Sequence, residues 1–393
     1  MKPATEPRDQ APPPVAPQPV TAQSVTTQSV TPESIAAEPV REVDVAVIGA
    51  GQAGLTSAYF LLRAGFEQPT GLVLLDGNTG PGGAWQHRWP TLRFGSAHRL
   101  YPLPDFPLGW VDEDRPAADV VSGYYGRFER KFGLEVHRPV RVQAVRSGPD
   151  QRLRLETSAG VWSARALVNA SGTWTKPFWP AYPGAATFKG RQLHTADYRR
   201  PQEFAGRHVV VVGGGNSAVQ LLAEISNWTT TTWVTRREPV WRDGPFDESA
   251  GRAAVALVEE AVRAGQPPAS VVSMTGLGLT PAITFARARG VMARRPIFER
   301  ITPTGVTWAN GDFLNADVIL WCTGFRAALD HLRPLHLREP GGGIRMDHTR
   351  VVADPRIHLI GYGPSASTIG ANRAARSAAR DLRRLLKPAR PLA

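Results

Sequence analysis

Cysteine is almost missing from this 393-residue chain. Cys322 stands alone, which excludes an intramolecular disulfide framework and any Cys-x-x-Cys redox pair. Lysine is scarce too, with Lys2, Lys131, Lys176, Lys189 and Lys387 set against 41 arginines. The resulting net charge of +12 is spread along the chain, and no basic stretch is interleaved with aromatics as in a nucleic-acid module, so no nucleic-acid partner is expected. No apolar run approaches the ~18 residues of a membrane span, and Met1-Lys2-Pro3-Ala4-Thr5-Glu6 lacks the apolar core of a signal peptide. A soluble cytoplasmic protein is the expectation. The nine histidines show no H-E-x-x-H or similar spacing, so no metal site is expected. Gly363-Pro364-Ser365-Ala366-Ser367 lacks the last glycine of a nucleophile elbow, leaving hydrolase chemistry unsupported. What remains is 42% hydrophobic and 20% charged, enough for a large core in about two domains.

Residues 1–40 are rich in Pro, Gln, Thr, Ser, Val and Ala, contain no aromatic and show no period, and read as a disordered tail. Order begins at Val43-Asp44-Val45-Ala46-Val47-Ile48, which enters a glycine cluster and then an apolar helical pattern ending at Gly65. A strand follows at Leu72-Val73-Leu74-Leu75-Asp76. The same grammar returns at His208-Val209-Val210-Val211-Val212, through a second glycine cluster and helix, to a strand at Thr231-Thr232-Trp233-Val234-Thr235. Between the two β-α-β units, 134–168 reads as strands. Beyond them lie a helical pattern around 253–262, a last strand at Val318-Ile319-Leu320-Trp321 and an Arg-studded helix over about 369–386.

Gly49-Ala50-Gly51-Gln52-Ala53-Gly54 fits the G-x-G-x-x-G dinucleotide fingerprint: the first glycine permits the turn, the second lets backbone approach a pyrophosphate, and the third lets helix pack on strand. Asp76 closes the next strand 22 residues beyond Gly54, where an acid can accept from an adenosine ribose. The second turn runs Gly213-Gly214-Gly215-Asn216-Ser217-Ala218, with the permitted Ala in third place, and its next strand ends in Arg236-Arg237. A guanidinium there suits the 2′-phosphate of NADPH and an acid would repel it. The acid-ended site suits FAD, the Arg-ended site NADPH, with hydride passed between them.

Between the two turns stands Phe188-Lys189-Gly190-Arg191-Gln192-Leu193-His194-Thr195-Ala196-Asp197-Tyr198. With Phe188, Gly190, His194 and Tyr198 in place, it resembles the F-x-G-x-x-x-H-x-x-x-(Y/F) signature of flavin-containing monooxygenases, class B flavoprotein monooxygenases. Pro81-Gly82-Gly83-Ala84-Trp85 resembles the family's GG-x-W segment beside the flavin, which adds Gly83 and Trp85 to the candidate contacts. Ala170-Ser171-Gly172 and Cys322-Thr323-Gly324-Phe325 resemble its paired ATG-type segments between domains, adding Thr323 and Gly324. The chain departs from the family at Cys322, where Ala is commoner, and at Gly361-Tyr362-Gly363, where many relatives have Gly-Asp.

The resemblance implies an α/β fold of two Rossmann-like dinucleotide-binding domains, the NADPH domain inserted in the FAD domain: 41–185 with 325–393 for FAD, 186–324 for NADPH. It implies that NADPH reduces FAD, that O2 then forms a C4a-(hydro)peroxyflavin, and that one oxygen atom passes to a small-molecule nitrogen or sulfur nucleophile. No side-chain nucleophile is needed, and the sequence assigns no catalytic residue. His194 reads as placing the nicotinamide domain rather than moving a proton. Two alternatives stay open at this point: an NADPH-dependent flavin oxidase or reductase without oxygen insertion, and a non-catalytic redox-sensing flavoprotein. The lone Cys322 removes the dithiol that a thioredoxin-reductase-type enzyme would need.

Overall fold

The computed structural model describes residues 40–97, 100–242, 248–268 and 276–386. The stretch read as a disordered tail lies, up to residue 39, outside the described residues. The first β-α-β unit comprises β1 (Arg41–Ile48), α1 (Gln52–Arg63) and β2 (Leu72–Leu75). A helix that no sequence motif announced, α2 (Ala117–Phe132), leads into β3 (Val136–His137). Its buried Val120, Val121, Tyr124, Tyr125 and Phe128 recur at helical steps, and Gly133 closes it in the left-handed conformation at φ 61°. An antiparallel meander follows: β4 (Val142–Ser147), β5 (Leu153–Thr157) and β6 (Gly160–Asn169).

After Asn169 the chain leaves this sheet and builds another. It contains β7 (Arg191–His194), β8 (Val209–Val212), α3 (Asn216–Ile225) and β9 (Thr231–Thr235). Next come the short β10 (Trp241–Arg242), α4 (Glu248–Arg263), β11 (Leu277–Gly278) and α5 (Pro281–Ala288). Then β12 (Arg294–Pro296), a small antiparallel sheet of β13 (Arg300–Thr302), β14 (Gly305–Thr307) and β15 (Phe313–Asn315), and β16 (Val318–Trp321). The chain re-enters the first sheet through β17 (Met346–Asp347), β18 (Arg350–Val351) and β19 (Ile357–Leu359), and closes with α6 (Thr368–Leu386). The strand at 318–321 is therefore not the last. Three strands of two or three residues follow it, too short to carry a period.

The first sheet has the order β17-β18-β19-β6-β1-β2-β3, with β5 and β4 continuing from β6. Its centre, β19-β6-β1-β2-β3, is parallel. The second sheet, β12-β9-β8-β16-β7, is parallel throughout. This is the α/β architecture expected, and its strands explain the sequence pattern. Parallel strands are covered on both faces, so they read as unbroken apolar runs; β2, β8 and β16 are buried at every position.

Helix α6 packs along α1 through Ala371, Ala375, Ala378, Ala379 and Leu382, small side chains that let the axes approach. Its arginines face outward, except that Arg376 lies 4.9 Å over the Phe60 ring. No helix among the described residues is long and apolar enough to cross a membrane.

Candidate functional site

Both glycine turns stand at the carboxyl ends of parallel strands, where open α/β sheets bind ligands. Gly49 (φ 94°) and Gly213 (φ 146°) adopt backbone that L side chains avoid. A Cβ on Gly49 would meet Ala170 O at 2.5 Å, and one on Gly213 would meet Cys322 O at 2.2 Å. A Cβ on Gly54 would stand 1.8 Å from Gly49 O, so the third glycine is what seats α1 against β1. The second glycines differ: around Gly215 nothing lies within 4 Å, and Gly51 has only the Gly83 Cα at 3.8 Å. Each is the N-cap of its helix and neither supplies a side-chain cap. The first-turn N–H groups of Gln52, Ala53 and Gly54 and of Asn216 and Ser217 thus have no intrahelical acceptor at the positive end of a helix dipole, whereas Ala218 N–H already donates to Gly215 O at 3.0 Å. A pyrophosphate fits there.

The two neighbouring strand ends have opposite charge. Asp76 is buried and its carboxylate is already engaged: Arg138 Nε donates to Oδ2 at 3.1 Å and Asn78 Nδ2 to Oδ1 at 3.0 Å. Arg138 also forms a fork with Glu129 at 2.8 and 2.7 Å. A carboxylate has about four acceptor positions, so Asp76 retains capacity for a ribose hydroxyl. At the end of β9, Arg236 and Arg237 are exposed and, among the described residues, neither forms an ion pair. The neighbouring Arg294, which no motif marked, is instead tied to Glu238 and donates from Nε to Thr235 Oγ1 at 2.8 Å.

The structure divides the four signature residues between the two ends of β7. Phe188 and Gly190 lie at its start, where a Cβ on Gly190 would meet Asp317 O at 2.4 Å and the Phe188 ring at 2.5 Å. Phe188 packs against the small core that includes Phe298, Ile301 and Trp321. His194 ends the strand, fully buried beside Trp321. Its Nδ1 accepts from Ala196 N–H at 3.1 Å, which leaves the proton on Nε2 to be donated to Gly324 O at 3.0 Å. Burial, the largest influence, lowers its pKa. The ring is thus neutral, with both nitrogens committed to backbone. Tyr198 is also fully buried, stacked on Phe204 and edge-on to Trp89, with its hydroxyl toward Glu224 on α3. Burial raises the pKa of both Tyr198 and Glu224. Sequence reasoning missed Glu224, which lies near the Tyr198 and Thr91 hydroxyls, two buried groups that form no hydrogen bond among the described residues.

Gln52 fastens the first turn to three elements. Its amide donates to Thr368 O at 3.0 Å and accepts from Tyr125 OH at 3.0 Å, and it reaches Tyr101 O at 3.2 Å. Gly83 packs on Gly51, and Trp85 is buried one step beyond. From there a chain of rings crosses to the second sheet. His87 stacks on Trp174 at 5.8 Å, Trp174 on Phe325 at 4.9 Å, and Phe325 meets His194 edge-on at 5.0 Å. Thr323 donates to Phe178 O, and Gly324 O also accepts from Phe178 N–H at 2.9 Å. Cys322 is buried, and burial pushes its thiol up to about 12, so it stays protonated and unreactive.

The family model described as pyridine nucleotide-disulphide oxidoreductase matches residues 46–251. Among solved structures, a double mutant of the flavin monooxygenase from Stenotrophomonas maltophilia is 40% identical, with a TM-score of 0.75 over 87% of this chain and 98% of that one. Curated relatives match over shorter stretches. An uncharacterized CzcO-like oxidoreductase from Geobacillus kaustophilus is 31% identical over 185 residues, 47% of this chain and 51% of its own. A Baeyer-Villiger monooxygenase from Streptomyces coelicolor is 30% identical over 208 residues, 51% of this chain and 38% of its own. The matches thus span about half the length, or less, of these two relatives.

Proposed function

Because the chain belongs to the flavin-containing monooxygenases, within the pyridine nucleotide-disulphide oxidoreductase family, we propose that it is an FAD- and NADPH-dependent monooxygenase acting on a nitrogen or sulfur nucleophile of a small molecule. The observation that carries this reading is the pair of uncapped helix starts, Gly51 and Gly215, one beside an acid and the other beside two exposed arginines that form no ion pair among the described residues. When bound, the flavin supplies hydride acceptance and oxygen activation. The assignment gives 41–185 with 325–393 to FAD, 186–324 to NADPH, and a cytoplasmic setting in which NADPH is available.

The chain's own work is to hold and exclude. First-turn N–H groups of α1 and α3 bind the two pyrophosphates, Asp76 accepts from the ribose of FAD, and Arg236 with Arg237 takes the 2′-phosphate of NADPH. His194 stays neutral and locks β7 to Gly324, and the rings of Trp85, Trp174 and Phe325 keep water from the crevice. For a thioether the balance is sulfide, O2, NADPH and one proton giving sulfoxide, water and NADP⁺. Anaerobic mixing of the purified holoprotein with NADPH should bleach the flavin absorbance, and air with methyl phenyl sulfide should then yield sulfoxide. A flavin that NADPH does not bleach, or bleaching followed by hydrogen peroxide alone, would overturn the reading.

A further inference from the structure

Among the described residues, the charge of Arg88, beside the turn at Gly83–His87, has no acid to answer it. Its backbone is fixed at the end of the turn Gly83–His87, with its N–H donating to Trp85 O at 3.0 Å. The guanidinium lies over two indoles, 5.7 Å from the Trp85 centroid and 5.2 Å from that of Trp174. It is partly buried, and desolvation lowers its pKa. Yet among the described residues it donates no hydrogen bond and pairs with no acid, in a chain whose other sequestered guanidiniums, such as Arg138 and Arg356, are forked onto carboxylates. A partly desolvated cation without an acid beside it is costly, the two ring contacts offset only part of that cost, and an anion from outside the chain would offset the rest. The indoles occupy the ring contacts of the guanidinium and leave its planar fork of N–H donors, which matches a carboxylate. The pyrophosphates already have the N–H groups of the two helix starts.

We propose that Arg88 reads a carboxylate on the substrate, and that the substrate class is an apolar, aromatic carboxylic acid whose body lies against Trp85, Trp174 and Phe325. This rests on the monooxygenase reading above and narrows it. A planar anionic acceptor also exists on the pyrimidine edge of a reduced flavin, and the experiment separates the two sources.

The probes are (phenylthio)acetate and (phenylthio)acetamide, which share ring and thioether and differ in charge. Each is titrated into oxidised holoprotein without NADPH, followed by the flavin difference spectrum, for the wild type, Arg88→Gln and Arg88→Lys. The acid should bind at least about 10-fold tighter than the amide. Arg88→Gln should abolish that preference, and Arg88→Lys, which keeps the charge without the fork, should retain part of it. FAD content and midpoint potential should not change. Equal binding of acid and amide to the wild type would overturn the proposal without needing any variant. So would an Arg88→Gln protein that keeps the preference while its flavin potential falls, since the guanidinium would then serve the flavin. Binding needs no turnover, so a protein that prefers the acid yet makes only peroxide contradicts the oxygenation reading alone. One that oxygenates both probes equally contradicts this proposal alone.

Discussion

At the scale of single residues, glycines that look alike in the sequence have different tasks. Gly54→Ala would drive a Cβ into Gly49 O; such overpacking against fixed backbone should unseat α1, read as lost FAD and a markedly lower melting temperature. Gly215→Ala enters open space and should leave stability within about 1 kcal/mol while weakening NADPH binding. Arg236→Ala with Arg237→Ala should weaken NADPH about 10- to 100-fold and NADH far less, measured by nucleotide titration; equal weakening would sink the 2′-phosphate assignment. Arg138→Ala strands the buried carboxylate of Asp76 and the partly buried one of Glu129 and should cost about 3–5 kcal/mol in urea unfolding. These residues also mark where sequence reading stops. Gly54 and Asp76 were legible because the fingerprint fixes their spacing. Arg138, Glu224 and Arg88 were not, because each takes its meaning from partners, or the lack of them, that only the folded chain brings near.

Among the elements, the two β-α-β units were legible because parallel strands covered on both faces leave continuous apolar runs and because glycine punctuates their ends. Strand β7 was hidden inside the family signature, whose first half proves to be packing between Phe188 and Gly190 and whose second half ends in the His194 lock. Strands β17, β18 and β19 are too short to signal themselves and exist through pairing to β6. The Arg-studded pattern located α6, whose outward arginines and inward alanines form an amphipathic helix. Its contact with α1 is close enough to test. Ala375 is fully buried, and Ala375→Leu should cost about 1–3 kcal/mol by overpacking, seen as a lower melting temperature; an unchanged one would mean that the helices separate freely.

For the whole molecule, acid should act through two histidines withdrawn from water, His358 buried and His331 partly buried. Burial, the largest influence, holds His331 and His358 at about 4 against an ordinary 6.5. A group that binds its proton more weakly folded than unfolded contributes stability that is complete above pH 6.5 and is lost as pH falls toward 4, here on the order of 3 kcal/mol each. Urea unfolding at pH 7, 5.5 and 4.5 should show that loss, and His331→Gln should flatten it. The central proposal is that reducing equivalents enter at the arginine-edged site and that oxygen leaves on the substrate. The most direct measurement is turnover of methyl phenyl sulfide with NADPH under ¹⁸O2. One labelled oxygen in the sulfoxide for each NADPH oxidised is the expected result; unlabelled product, or hydrogen peroxide equal to the NADPH consumed, would contradict it.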